Sequence, residues 1–359
     1  MRYYIITGES SGDMHAANLV KELRKYDHET TIRAWGGDRL INENVAIAKH
    51  IKDTSFMGIW SVLKNINVIK SNLKFCKNDI MHFNADAVIL VDYPGFNLKI
   101  AEFAKSNGIK VFYYISPKVW AWNKSRISKI KKFIDHLIVI FPFEVAFFKK
   151  FGIEVSYVGN PILDEINKKT YKLSAYSKKP IISLLPGSRK QEIETILPQM
   201  LKVIDRFPNY QFIIAGTNLF TTDYYNNLIG NKNVIVVYNE TYALLHQSTA
   251  AMVASGTASL ETALFKVPQV VCYKTNWITY FIAKSVIKIK FISLVNILLK
   301  KSVVKELIQS NLNNENLEKE LDVILNDNLK IKEEYINLSK LLSKKDASNN
   351  AARIIFDLI

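Results

Sequence analysis

Residues 250–264 read AAMVASGTASLETAL, and no other run constrains the chain as tightly. Small apolar residues at 250–254 fit a buried strand, Ser255-Gly256-Thr257 a tight turn, and residues 258–264 the opening turns of a helix. Such a turn presents backbone N–H groups at a helix N-terminus, where partial positive charge and unpaired donors favour a phosphate. Gly256 and Ala258 are small enough to let a phosphate reach the backbone, and Glu261 follows where an acidic residue accepts from ribose hydroxyls in dinucleotide folds. An ordinary small-residue turn with a helix-start glutamate satisfies the same residues, so both readings stand on this run alone.

The unit recurs along the chain. Residues 3–7 read as a strand, Gly8-Glu9-Ser10-Ser11-Gly12-Asp13 as a polar turn, and residues 14–25 as a helix; ligand loop and plain helix cap at Ser11 or Asp13 both fit. The run AVILV at 87–91 reads as a strand buried on both faces, and it ends at Asp92. A carboxylate there lies half-desolvated at the carboxyl edge of a parallel sheet, which makes Asp92 the candidate general base; the alternative is a cap for the next helix, a task Asn97 suits better. After a polar, Lys-rich stretch at 164–179, the strand at 181–185 leads into Pro186-Gly187-Ser188-Arg189-Lys190, whose cations can neutralise a diphosphate resting on Gly187-Ser188. Strands alternating with helices on both sides of that stretch predict an α/β chain of two Rossmann-like domains facing across a cleft (GT-B). The expected domains are residues 1–165 and 166–359, the second carrying C-terminal helices.

Charge and aromatic residues narrow the partners. The formal net charge is +15, which points to an anionic partner such as phosphorylated substrates, an acidic membrane surface or nucleic acid. Between residues 54 and 74 the only charges are lysines, and Ile59, Leu63 and Ile66 recur at helical spacing, with Phe56, Met57 and Trp60 outside that stripe. This segment reads either as a core-facing helix or as one lying in a bilayer interface or against an acyl chain. Residues 103–134 and 265–305 are likewise rich in Lys and aromatics and free of acids. The two cysteines, Cys76 and Cys272, show no metal-ligand spacing, the six histidines are not clustered, and no run approaches the ~20 apolar residues of a spanning helix. The expected location is cytoplasmic.

Taken together, GESSGD (8–13), FMGIWSVL (56–63), VDYPGFN (91–97), YYISPKVWAW (113–122), LLPGSRKQEI (184–193), ASGTASLETAL (254–264) and FISLVNIL with VVKELIQ (291–309) resemble the lipid A disaccharide synthase family over nearly the whole chain. The resemblance implies an inverting glycosyltransferase that moves 2,3-diacylglucosamine from its UDP conjugate to the 6-hydroxyl of 2,3-diacylglucosamine 1-phosphate (lipid X). The products are the β-1',6-linked lipid A disaccharide 1-phosphate and UDP. It implies that Asp92 is the base, that Arg189, Ser188, the Gly256-Thr257 turn, Glu261 and Asn296 lie at the UDP, and that Glu9, Ser10 and Ser11 line the acceptor side. It further implies that the UDP-sugar is a substrate, with no cofactor and no metal, and that Phe56, Met57, Ile59, Trp60, Leu63 and Ile66 meet acyl chains at the anionic cytoplasmic face of the inner membrane. Two residues depart from the family pattern: Gly95 stands where many relatives have a second Asp, and Val295 where a Pro is usual before Asn296.

A UDP-N-acetylglucosamine 2-epimerase would share the architecture and a UDP pocket, but it works on a soluble sugar and gains nothing from the apolar segment at 56–66. A nucleic-acid binder would suit a pI of 9.4, yet the chain shows no RNP, KH or zinc-finger pattern, and nucleic acid is not an expected partner.

Overall fold

The computed structural model describes residues 1–53, 66–120, 125–167, 171–175, 177–277, 280 and 290–359. The chain forms two compact units, Met1–Asp164 with Leu342–Ile359, and Glu165–Leu341.

The first unit is built on seven parallel strands: β1 Arg2–Ile6, β2 Thr31–Gly36, β3 Ala46–His50, β4 Ala87–Val91, β5 Lys110–Tyr114, β6 His136–Val139 and β7 Val155–Tyr157. Their order is β3-β2-β1-β4-β5-β6-β7. All five residues of β4 are buried, as expected for an apolar, β-branched run that helices cover on both faces. Ile5 pairs with Ala34 on one side and with Ile89 on the other, so the strand order reverses between β1 and β4. That reversal opens a crevice at the carboxyl ends of β1 and β4, where open α/β sheets bind their ligands.

The second unit repeats the plan with six parallel strands: β8 Ile181–Leu185, β9 Gln211–Gly216, β10 Val234–Tyr238, β11 Ser248–Ala254, β12 Gln269–Tyr273 and β13 Lys305–Ile308. The order β10-β9-β8-β11-β12-β13 places its reversal between β8 and β11. Every residue of β8 is buried, and Leu184 and Met252 lie in the core with Ile193, Leu197 and Met200 of the helix Lys190–Leu201. Short polar side chains start several helices, as with Asn313, which accepts from the Asn316 N–H at 2.9 Å.

The end of the chain corrects the expected division. Residues 342–359 belong to the first unit and do not continue the second. The helix Ala347–Asp357 buries Ala347, Ala351, Ala352 and Ile355, while Phe356 stacks on Tyr26 at 5.9 Å and Asn349 donates to Glu22 at 2.9 Å. An amphipathic pattern announces an apolar face but carries no information about which surface will cover it.

Candidate functional site

On the first unit, the loops after β1 and β4 meet at the strand reversal. The loop after β1 leads into the helix Ser10–Tyr26, with Glu9 half-buried, Ser10 exposed and Ser11 half-buried. Asp13 does not cap this helix. It is buried and turns to the neighbouring loop, accepting from the N–H groups of Gly37 at 2.6 Å and Arg39 at 2.9 Å; burial raises its pKa and these hydrogen bonds pull it back. Gly8 passes so close to Tyr93 that a methyl group on it would lie 2.4 Å from the ring's Cγ. Burial raises the Tyr93 pKa and the Glu9 charge raises it further, so Glu9 and the Asp92-Tyr93 turn share one electrostatic environment. Gly8→Ala is expected to destabilise the protein by about 1–3 kcal/mol, because the displaced Tyr93 ring is stacked on Phe96 at 5.5 Å. A denaturant midpoint unchanged from wild type would show that the ring yields freely.

Asp92 and Tyr93 adopt successive left-handed conformations, with φ of 45° and 48°. Each such residue costs about 1–3 kcal/mol and persists only where its surroundings dictate it. Here the Asp92 carbonyl accepts from the buried Asn97 amide at 2.7 Å and from the Tyr113 hydroxyl, while the Asp92 N–H donates to the Tyr114 carbonyl at 3.3 Å. Asn97 thus holds the turn's backbone instead of capping the helix Pro94–Ser106. With its backbone fixed from β5 and from that helix, Asp92 projects at the end of the buried central strand. Arg126 is a site residue the sequence reading missed. It opens the helix Arg126–Phe133; burial lowers its pKa, whereas Tyr113 and Asp92 both favour its charged form.

Beside this cluster lies Glu144, also not singled out from the sequence. It is 2% exposed and accepts from Ser116 Oγ at 2.6 Å, Trp120 Nε1 at 3.2 Å, Ile140 N at 3.2 Å and Phe141 N at 3.0 Å. The indole N–H of Trp120 is therefore spent inside the unit. Trp122 lies outside the described residues.

On the second unit, the loops after β8 and β11 meet at the other reversal. Gly187 has φ of 106°, and Glu192 folds over it to pair with Arg189 at 3.0 Å; Ser188 and Arg189 are exposed. Gly256 precedes the helix Thr257–Leu264 with φ of 154°, a conformation side chains resist, although the space beside its Cα is open. The Glu261 carboxylate accepts from the Tyr242 hydroxyl at 2.9 Å; burial raises its pKa and this bond lowers it. Tyr273, at the end of β12, feels the charges of both Glu192 and Arg189. Ser188, Arg189, Gly256, Thr257 and Glu261 therefore sit on neighbouring loops and the first turns of the following helices along one sheet edge.

Asn296 differs from its expected place at the UDP. It is fully buried, its amide donating to the Val304 carbonyl and to Glu306, each at 2.8 Å, and its oxygen accepting from Val303 N at 2.8 Å and Val304 N at 2.9 Å. With both donors and the acceptor engaged, Asn296 organises the loop rather than reaching a ligand. Val295 donates its N–H to Ser293 Oγ at 3.2 Å, a bond that a proline there lacks. Gly95 is exposed with open space beside it, so a side chain fits there.

Phe56, Met57, Ile59, Trp60, Leu63 and the side chain of Ile66 lie outside the described residues. The helix Ile66–Phe83 exposes Val68, Phe75 and Met81. Acid-free sequence does not mean uncompensated charge, since Lys105 pairs with Asp135 and Lys129 with Glu102. Among the described residues, no helix is long and apolar enough to cross a membrane.

The two-unit α/β fold is shared with sugar-nucleotide enzymes. A glycosyltransferase of kitacinnamycin superposes with a TM-score of 0.67 at 12% identity, covering 100% of this chain and 99% of that one. The UDP-GlcNAc 2-epimerase of Neisseria meningitidis gives 0.58 at 12% identity, covering 99% of each. The fold class is thus GT-B-like α/β. Within it, the family model described as lipid-A-disaccharide synthetase matches residues 3–358. The lipid-A-disaccharide synthase of Syntrophus aciditrophicus is 36% identical, over 99% of this chain and 97% of that protein, and that of Geobacter metallireducens 33% identical, over 98% and 95%. The chain belongs to the lipid-A-disaccharide synthase family: it is a glycosyltransferase of lipopolysaccharide biosynthesis that forms the lipid A disaccharide.

Proposed function

We propose that Asp92 is the general base of an inverting transfer from UDP-2,3-diacylglucosamine to lipid X. The observation that carries this assignment is its carboxylate at the end of the buried strand β4, on a backbone turn held by Asn97 and Tyr113. The acceptor's 6-hydroxyl oxygen attacks the donor's anomeric carbon while its proton passes to Asp92. The bond from that carbon to the β-phosphate oxygen breaks, its electron pair leaves with UDP, and inversion yields the β-1',6 link. Glu9, Ser10 and Ser11 line the acceptor side on the first unit.

On the second unit, Arg189, Ser188 and the N–H groups of the Gly256-Thr257 turn receive the diphosphate, and Glu261, held by Tyr242, accepts from the ribose. The cation and the helix N-terminus meet the leaving group's charge, so the reading invokes no metal and no cofactor. Asn296 supports this edge from behind through Glu306. The acylated substrates, the net charge of +15 and the exposed Val68, Phe75 and Met81 support residence at the anionic cytoplasmic face of the inner membrane.

The test is UDP release in detergent micelles from UDP-2,3-diacylglucosamine, with and without lipid X. Release that requires lipid X supports the reading. Turnover of UDP-N-acetylglucosamine alone, with no release from the diacylated donor, would overturn it in favour of epimerisation.

A further inference from the structure

We propose that Tyr242 is a positioning residue for nucleotide recognition: its hydroxyl fixes Oε1 of Glu261, leaves Oε2 to a ribose hydroxyl, and so sets how strongly the protein prefers a ribonucleotide to its deoxy form. The inference rests on Glu261 lying at the ribose of the UDP.

The helix Thr257–Leu264 follows β11, and Thr257, Glu261 and Phe265 recur at every fourth residue, which puts them on one face. Side chains on a helix lean towards its N-terminus, so the Glu261 carboxylate leans back towards the Gly256-Thr257 turn. Left to itself, a half-buried glutamate there would exchange among several rotamers, and binding would have to order it. Tyr242, from the helix Thr241–Gln247, removes that freedom by donating its hydroxyl to Oε1 at 2.9 Å. Among the described residues, nothing donates to Oε2.

The tyrosine is itself held. Its ring packs on Phe265 with centroids 5.4 Å apart and on Tyr171 at 6.2 Å, and Tyr171 meets Phe265 at 5.4 Å, so the three rings form a closed cluster. Tyr171 is tied in turn by its hydroxyl, which donates to the carbonyls of Ile166 at 2.9 Å and Glu165 at 3.1 Å. The Phe265 N–H donates to the Glu261 carbonyl at 3.0 Å, so both residues that Tyr242 touches belong to one turn of chain. Tyr242 thus bridges that turn, its ring against Phe265 and its hydroxyl on Glu261. Burial raises the Glu261 pKa, and the tyrosine bond opposes this by favouring the ionised form. An ionised carboxylate only accepts hydrogen bonds, which suits a partner that donates a hydroxyl. A nucleotide without that hydroxyl leaves the fixed oxygen unpaired, and a site built to pair it rejects the analogue for that reason.

The experiment measures the affinity of the full chain for UDP, 2'-deoxy-UDP and 3'-deoxy-UDP by isothermal titration calorimetry, for wild type, Tyr242→Phe and Glu261→Ala. Phenylalanine keeps the ring cluster and deletes only the hydroxyl. Wild type is expected to bind UDP about tenfold or more tightly than one of the deoxy forms. Tyr242→Phe is expected to weaken UDP by about 3–10-fold, the worth of one ordering hydrogen bond, and to leave that deoxy form within about twofold, so that the preference shrinks. Unchanged or raised UDP affinity in Tyr242→Phe overturns the proposal. So does an equal loss for all three nucleotides, which would mark a purely structural role. Glu261→Ala separates the two levels. No preference in wild type, or a wild-type preference kept in Glu261→Ala, would remove Glu261 from the ribose and the proposal with it. A preference lost in Glu261→Ala but intact in Tyr242→Phe would remove only the role of Tyr242.

Discussion

Asp92→Asn is expected to lower kcat by roughly 10²–10⁴-fold, the range a positioned base contributes, while leaving KM for both substrates within a few-fold of wild type. The carboxamide matches the carboxylate in shape but cannot take a proton at neutral pH. Folding should survive, because the ties from Asn97 and Tyr113 go to the backbone carbonyl and the Tyr114 bond to the backbone N–H. These backbone ties stay in place in the variant, so the substitution is expected to remove chemistry more than structure. Single-turnover UDP release at saturating lipid X, beside a thermal melt, checks both halves. A loss below about tenfold would mean that solvent or another group takes the proton.

What could be read from sequence follows the burial of each element. The central strands β4, β8 and β11 are apolar runs ending in Asp, Pro-Gly or Ser-Gly, and both the strands and their site loops were evident for that reason. The strands β3 and β13 escaped notice. Both lie at sheet edges, with sequences AIAKH and KELI that are only partly buried, so neither shows an unbroken apolar run. Ownership of the last helix was not legible either, since its buried face of Ala347, Ala351, Ala352 and Ile355 would suit either unit.

Site residues divide in the same way. Asp92, Arg189 and Gly256 follow the ends of buried strands and Glu261 lies in the helix after one, where position alone suggests a role. Arg126 was one cation among many in an acid-free stretch, and only the fold lets the charge of Asp92 act on it. Asn296 belonged to a distinctive motif, yet its buried amide serves the loop itself, so a motif can mark what shapes a site as readily as what touches the ligand.

Glu144→Ala is expected to destabilise the protein by about 3–5 kcal/mol at pH 7, because each buried donor left without its acceptor costs roughly 1–3 kcal/mol. Four donors lose their acceptor at once: the Ser116 hydroxyl, the Trp120 indole and the N–H groups of Ile140 and Phe141. Burial raises the Glu144 pKa from its ordinary value of 4.5 to about 7, against the lowering effect of those same bonds. A carboxyl group with a raised folded-state value contributes its full stability below the unfolded value. That contribution falls as pH rises from about 4.5 and levels off above about 7, a change of roughly 3 kcal/mol at about 1.4 kcal/mol per unit. Glu144→Gln does not titrate, and its NH₂ group would face two backbone N–H donors where the carboxylate accepted. Its stability deficit against wild type should therefore be largest near pH 5 and should shrink by pH 8. Denaturant unfolding of the two proteins at both pH values reads this directly, and a deficit that stays constant would mean that Glu144 keeps an ordinary carboxylate pKa, held down by the donors around it. In that case Ser116 and Trp120 would be gripped by a permanent charge, and that hold would not weaken across the physiological range.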